Sequence, residues 1–388
     1  MPNWFSLCLI VAPLLSVGCG SSKDTGTSLG TTTDTSTDTN SETSTTDTST
    51  SYTDTSTQEP LDPNARTILP SDPSIHTVGR IDQSDPSRLP LHWPGSSVSF
   101  SFQAPSVSVT IDDAGDNYLN VYIDDLAPVV LDLEPGEHTY VLSEGLTAEP
   151  HRVAIHKRTE TFEGDATVLS FELGPENRMG ESEPDPTFRM EFYGDSITAG
   201  YSADCECDQG DAVYKNHDLT YAALAASALG GEHHTIALSG VGIVKSWWNA
   251  EMDDYWDGLY AGDGEWDFSS WPADVVVVNL GQNDYWLGVR GEIVRAYVEF
   301  LVELRDVHPN AEIFLALGSM DATAEGSPMP GWVEQAVTIR NESGDSDVHS
   351  LIFPYNGWGG HPIEADHSEM ADMLIEAVLR EMPELRGG

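Results

Sequence analysis

The run Asp274-Val275-Val276-Val277-Val278-Asn279-Leu280 has four consecutive valines, with no polar residue on either face of a strand they would form. A strand that alternates apolar and polar residues leaves one face in water. This one must bury both, which happens at the centre of a parallel sheet covered by helices on each side. The surrounding segments fit that frame. Phe188–Tyr193 reads as a strand ending at a Gly-Asp-Ser turn, and Leu219–Leu229 as an Ala/Leu-rich helix. Thr235–Leu238 is a short strand ending at Ser239-Gly240, Glu292–Val307 an amphipathic helix, and Ile313–Leu317 a further strand. Ser368–Arg380 closes the chain as a helix whose start Ser or Asp can cap. Strands alternating with helices predict a three-layer α/β/α domain with a parallel sheet over residues 184–388.

Upstream the rhythm is different. Ser97–Phe102 and Ser106–Ile111 alternate polar and apolar residues, and Tyr118–Ile123 is another candidate strand. Trp93-Pro94-Gly95, Asp112–Gly115 and Glu134-Pro135-Gly136 supply the turns. Short alternating strands at this spacing predict an antiparallel β-sandwich over residues 66–183.

The chain begins with an apolar run, Phe5–Val17, too short to span a bilayer comfortably. It ends in Ser16-Val17-Gly18-Cys19, small residues before a cysteine, which resembles the lipobox of bacterial lipoproteins. Residues 1–19 are therefore expected to be a signal peptide, with lipid attached at Cys19 and a cell-surface or outer-membrane location. An ordinary cleaved signal and a secreted protein are the alternative. Residues 20–65 are dominated by Ser, Thr, Asp and Gly and cannot bury enough apolar surface to order themselves. They are expected to be a disordered tether reaching roughly 35–40 Å.

Net charge is −47, from 64 acidic and 17 basic residues. Such a surface repels phosphate backbones and argues against nucleic acid as a partner. Of four cysteines, Cys205 and Cys207 fall in the folded part. A bridge between them closes a very tight loop, and the sequence leaves open whether it forms. His233-His234 suggests a metal site, but adjacent residues on a strand face opposite ways. No metal and no cofactor are expected.

In open α/β sheets the site lies at the carboxyl ends of the strands. Polar segments follow Tyr193, Leu238 and Leu280. Acyl transfer requires a nucleophile, a base and donors for an oxyanion. Ser196 sits after Gly194-Asp195 on a tight strand-to-helix turn, exposed to attack and near backbone N–H groups. Gly240 can present a bare N–H, and Asn283 can donate from its amide. His361, in Gly360-His361-Pro362, comes late in the chain as a base able to face Ser196.

These four blocks resemble those of the SGNH, or GDSL, hydrolases. The resemblance implies Ser196 as nucleophile, His361 as base, and Gly240, Asn283 and the Ser196 N–H as oxyanion donors. Further motifs resemble carbohydrate esterase family 2: Val78-Gly79-Arg80, Leu91-His92-Trp93-Pro94-Gly95-Ser96, His151–Glu160, Glu191–Tyr201 and Ser239-Gly240-Val241-Gly242. That resemblance implies a jelly-roll domain fused to an SGNH domain. It also implies deacetylation of plant polysaccharides such as xylan or glucomannan. SGNH enzymes commonly carry Asp three residues before the histidine, where this chain has Trp358. The resemblance to carbohydrate esterase family 2, which includes members with a Ser–His dyad, implies that arrangement here, with a backbone carbonyl orienting His361. His367 is the rival base. Trp286 and Trp358 are candidate sugar-stacking residues, and Trp247-Trp248 weaker ones. Two other functions compete: a lipase or thioesterase for longer acyl chains, and a non-catalytic carbohydrate-binding surface protein. The oligomeric state is not legible.

Overall fold

A computed structural model describes residues 61–387 apart from Asp125. The signal-peptide, Cys19 and most of the tether expectations lie outside the described residues. Ordered pairing begins with a bridge between Asp62 and Asn177.

The first half is a sandwich of two antiparallel sheets. One takes the strand order 66–68, 166–173, 106–113, 136–144, with 89–91 also on 166–173. The other runs 178–179, 97–103, 151–157, 118–123, 129–132, with 76–78 also on 97–103. Along Ser106–Asp113 every second residue is buried, including Val107, Val109 and Ile111. A one-residue register slip would turn all three to water, so the alternation itself pins the pairing. Phe100 of one sheet meets Phe171 of the other edge-to-face at 4.8 Å, filling the space between them.

The second half is α/β/α. Its parallel sheet has the order 232–237, 189–194, 275–279, 312–317, 348–352. Val275 to Val278 are fully buried, as the sequence demands. Each such side chain contributes about 1.5–3 kcal/mol relative to exposure. Val276 and Val278 face Tyr297, Leu301 and Val333 of helices Ile293–Val307 and Met329–Glu342. Val275 and Val277 face Tyr221, Leu374 and Val378 of helices Tyr221–Ala228 and Glu364–Glu381.

Most sandwich strands outside 97–103, 106–113 and 118–123 escaped the pattern reading, and so did two elements of the α/β half. Met329–Glu342 shows only Met329, Val333 and Ala336 as a buried stripe and opens on Met-Pro-Gly, which does not read as a helix start. Val348–Ile352 is a short edge strand with a half-polar sequence. The last helix begins at Glu364, not Ser368, so the expected cap is corrected. Asp366 Oδ2 accepts the Ile363 N–H at 3.1 Å, four residues' worth of helix earlier than the apolar stripe suggests.

The two halves are pinned by Arg80, which leaves the sandwich and is buried beneath the parallel sheet. It donates to Glu191 Oε1 from Nε (3.1 Å) and Nη2 (2.8 Å). It also donates to Tyr193 Oη (2.9 Å), Trp256 O (2.7 Å) and Gly258 O (2.9 Å). Burial alone would push Glu191 up, but the Arg80 charge and His308 at 2.8 Å hold its carboxyl at about 2. A depressed folded pKa gives stability that is present above the unfolded value near 4.5 and lost as pH falls towards 2. The contribution is on the order of 3 kcal/mol at neutral pH. Arg80→Met is expected to cost about 3–5 kcal/mol by leaving a buried carboxylate unpaired. Urea unfolding at pH 7 and pH 3 checks this: the wild type should lose stability between the two, and the variant should lose less. The added change Glu191→Leu should restore much of the loss.

Candidate active site

The strand Arg189–Gly194 lies between 232–237 and 275–279, so the chain leaves its carboxyl end to one side and then the other. This is the switch point where a crevice opens. Gly194 admits no other residue: a Cβ there would lie 2.1 Å from Thr198 Oγ1. That closeness lets the strand turn at once into the short helix Ser196–Ala199. Asp195 caps it, accepting the Ile197 N–H at 3.0 Å.

Ser196 Oγ stands 2.9 Å from His361 Nε2. His361 Nδ1 stands 2.7 Å from Asp208 Oδ1, which also accepts the His361 backbone N–H at 3.2 Å. An ionised carboxylate only accepts, so Nδ1 carries the proton and Nε2 is free to accept from the Ser196 hydroxyl. The hydrogen bond from His361 holds Asp208 below the usual carboxylate range. The Tyr201 ring packs on the imidazole at 4.2 Å between centroids.

This corrects the expected dyad: a carboxylate side chain, not a backbone carbonyl, orients His361. It comes from the loop after Ser196 instead of the position of Trp358. Cys205 and Cys207 in that loop are disulfide-bonded. Asp208 has φ 49°, a left-handed conformation that Asp and Asn tolerate better than most residues. Arg158 of the sandwich braces the loop, donating to Asp204 Oδ2 (2.7 Å) and Val213 O (3.2 Å).

The rival base is displaced. His367 is buried, its Nδ1 accepts the Tyr221 N–H at 3.3 Å, and burial pushes its pKa down to about 3. His233 meets His217 at 3.0 Å while His234 stacks on Trp271 at 3.6 Å, on opposite sides of their strand. Among the described residues no cluster of three or more His, Cys, Asp or Glu is arranged to hold a metal.

Gly240 and Asn283 lie at the ends of the neighbouring strands. Gly240 has φ +83°, and a Cβ there would meet the Trp248 indole at 2.9 Å. Asn283 is more constrained than its sequence suggests. Its amide donates to Val241 O at 2.8 Å and Asp195 Oδ2 at 3.2 Å, and its oxygen accepts from Trp247 Nε1 at 3.0 Å. Both N–H groups of the amide are thus already engaged, the bond to Asp195 being the longer. Burial pushes Asp195 up to about 7, and the nearby Asp284 adds to this.

Asp284 is itself a residue that sequence reasoning missed. It accepts the N–H groups of Ile243, Val244 and Lys245 at 2.8–2.9 Å, fixing the segment after Gly240. Its place directly after Asn283 was the available signal.

Trp286 and Trp358 are 41% and 45% exposed. Trp286 Nε1 donates to Asp321 Oδ2 at 3.1 Å and Trp358 Nε1 to Asp366 Oδ2 at 3.4 Å. Asn356 shapes the turn before His361, accepting from Trp358 N and Gly359 N and donating to Gly360 O.

Layer order and site together define an α/β/α hydrolase of the GDSL class, and residues 192–349 match the GDSL-like lipase/acylhydrolase family. Residues 77–181 match the carbohydrate esterase 2 N-terminal family. The solved structure of a family two carbohydrate esterase from Clostridium thermocellum, in complex with cellohexaose, is 30% identical. That match covers 80% of this chain and 99% of that one, at a TM-score of 0.75. The chain belongs to carbohydrate esterase family 2. It is 31% identical to the cellulase/esterase CelE of Acetivibrio thermocellus over 81% of its length, spanning only 40% of that protein. It is 24% identical to an acetylxylan esterase/glucomannan deacetylase of Cellvibrio japonicus, across 80% of this chain and 90% of that one.

Proposed function

We propose that this chain removes O-acetyl groups from plant polysaccharides, xylan and glucomannan, through a serine acyl-enzyme. The observation that carries this reading is the continuous series Asp208–His361–Ser196, joined at 2.7 and 2.9 Å. His361 takes the Ser196 proton as Oγ attacks the acetyl carbon. The N–H groups of Ser196 and Gly240 and the Asn283 amide receive the oxyanion. The sugar oxygen then leaves with the proton from His361. Water deprotonated by the same imidazole releases acetate and restores Ser196.

The polysaccharide assignment is supported by the named activity of the Cellvibrio relative and the cellohexaose complex of the Clostridium one. Release of acetate from acetylated xylan and glucomannan tests it. Failure on both, with Ser196 still labelled by a fluorophosphonate, would move the substrate to another acyl ester. Export with lipid at Cys19 belongs to the same reading and rests on Ser16-Val17-Gly18-Cys19 alone.

Trp286 and Trp358 supply exposed ring faces for sugar stacking. Such a face contributes about 0.5–1.5 kcal/mol. Trp358→Ala is expected to raise KM for acetylated xylan roughly two- to twelvefold while leaving hydrolysis of 4-nitrophenyl acetate unchanged. An equal effect on both substrates would instead mark Trp358 as support for the His361 turn.

A further inference from the structure

We infer that Glu160, a residue of the sandwich half, is a positioning residue for the oxyanion-binding turn, so that the sandwich completes the catalytic centre. This rests on the proposed role of Ser196 and goes beyond it. Glu160 ends the His151–Glu160 segment and is buried. Its carboxylate crosses to the other half and takes both polar groups of Ser239. Oε2 accepts the Ser239 N–H at 2.8 Å and Oε1 accepts the Ser239 hydroxyl at 2.7 Å. Ser239 is the residue before Gly240. Two bonds from one rigid carboxylate leave the turn little freedom, and Gly240, at φ +83°, has no side chain of its own to hold it.

The carboxylate is itself held. Lys215 Nζ donates to Glu160 Oε1 at 2.7 Å and also to Glu163 Oε1. The buried Lys157 Nζ donates to the backbone oxygens of Thr159 (3.2 Å) and Glu160 (2.9 Å), fixing the turn that presents the side chain. The same Lys215 lies 5.4 Å over the ring of Tyr201, which packs on His361. One buried cluster thus touches the oxyanion turn on one side and the imidazole's support on the other. Replacing a whole buried ion pair by well-packed apolar residues is often neutral for stability, whereas holding donors in place before the charge develops is where an enzyme gains most. The separation of 79 residues between Glu160 and Ser239 explains why the sequence does not announce it.

The experiment measures kcat and KM for 4-nitrophenyl acetate in the wild type, Glu160→Gln, Glu160→Ala and Ser239→Ala, with Ser196→Ala alongside. Inhibition by methylboronic acid, which adds to a serine hydroxyl as a tetrahedral anion, is measured in each active variant. Glu160→Gln and Glu160→Ala are expected to lower kcat about 10- to 100-fold with KM within about twofold. The boronate inhibition constant should rise in step with the loss of kcat. Ser239→Ala, which removes only the hydroxyl bond from a partly exposed turn, should give a smaller loss of the same kind. If Glu160→Ala does not fold, the isosteric Gln variant and Ser239→Ala decide the matter. Wild-type kcat and boronate inhibition in the Glu160 variants, with Ser196→Ala inactive, would overturn this inference and leave the nucleophile standing. An active Ser196→Ala would overturn the nucleophile assignment, and the role of Glu160 with it.

Discussion

Ser196→Ala is expected to lower acetate release from acetylated xylan and glucomannan by about 10⁴–10⁶-fold. In serine hydrolases that work through a nucleophile–base pair, removing the nucleophile forfeits nearly the whole chemical acceleration. What remains comes from the oxyanion donors and substrate binding. The variant should fold normally. Among the described residues the Ser196 hydroxyl bonds only to His361, and the turn is held by backbone bonds from Ala199 and Gly200 to Asp195 and Ser196 and by the Asp195 cap. Thermal unfolding near the wild-type midpoint, together with loss of fluorophosphonate labelling, separates lost chemistry from lost structure. Retention of more than about one percent of the wild-type rate would rule out Ser196 as nucleophile.

Asp208→Asn is expected to lower kcat about 10²–10⁴-fold. The equivalent exchange in a buried protease triad costs about 10⁴, because the amide stabilises the wrong imidazole tautomer. Here Asp208 is 39% exposed at its side chain, so water competes for Nδ1 and the loss should not exceed that figure. The asparagine keeps the left-handed backbone at position 208 comfortable, so the change reads chemistry and not loop collapse. Its amide can offer N–H to His361 Nδ1, which would place the ring proton on Nε2 and block acceptance from Ser196. Asp208→Ala, which leaves Nδ1 to water, should lose less than Asp208→Asn if tautomer control is the main effect. The expectation of a backbone carbonyl as orienting group predicts instead that both variants stay near wild type. Steady-state kinetics on 4-nitrophenyl acetate distinguishes the two.

The contrast between Ser196 and Asp208 shows what a sequence can carry. Ser196, Gly240 and Asn283 each lie within four residues after a strand, where a tight turn demands recognisable residues: glycine at 194 because Thr198 approaches, glycine at 240 because φ is positive. His361 shares this local signature through Gly359-Gly360 before it and Pro362 after it. Asp208 has no such mark. It stands 153 residues from His361 in a polar loop where many acidic residues look alike, and only the path of the loop selects it. Glu160 and Arg80 stand in motifs quoted from the sequence, but their partners, 79 and 111 residues away, are hidden for the same reason.

His367 makes the converse case. Its place near the last helix made it a rival base, and nothing local disqualified it. Burial beneath Tyr221, which keeps it neutral and away from Ser196, is a property of packing alone.

By itself, then, the sequence determined the layered architecture and the pairing of Ser196 with His361, because hydrophobic period and turn geometry act between near neighbours. Only the tertiary structure decided which carboxylate orients His361, how both ends of the Asn283 amide are held, and how the sandwich reaches Ser239. These depend on electrostatic and hydrogen-bonding partners brought together by folding, and pairing at that range leaves no periodic trace along the chain.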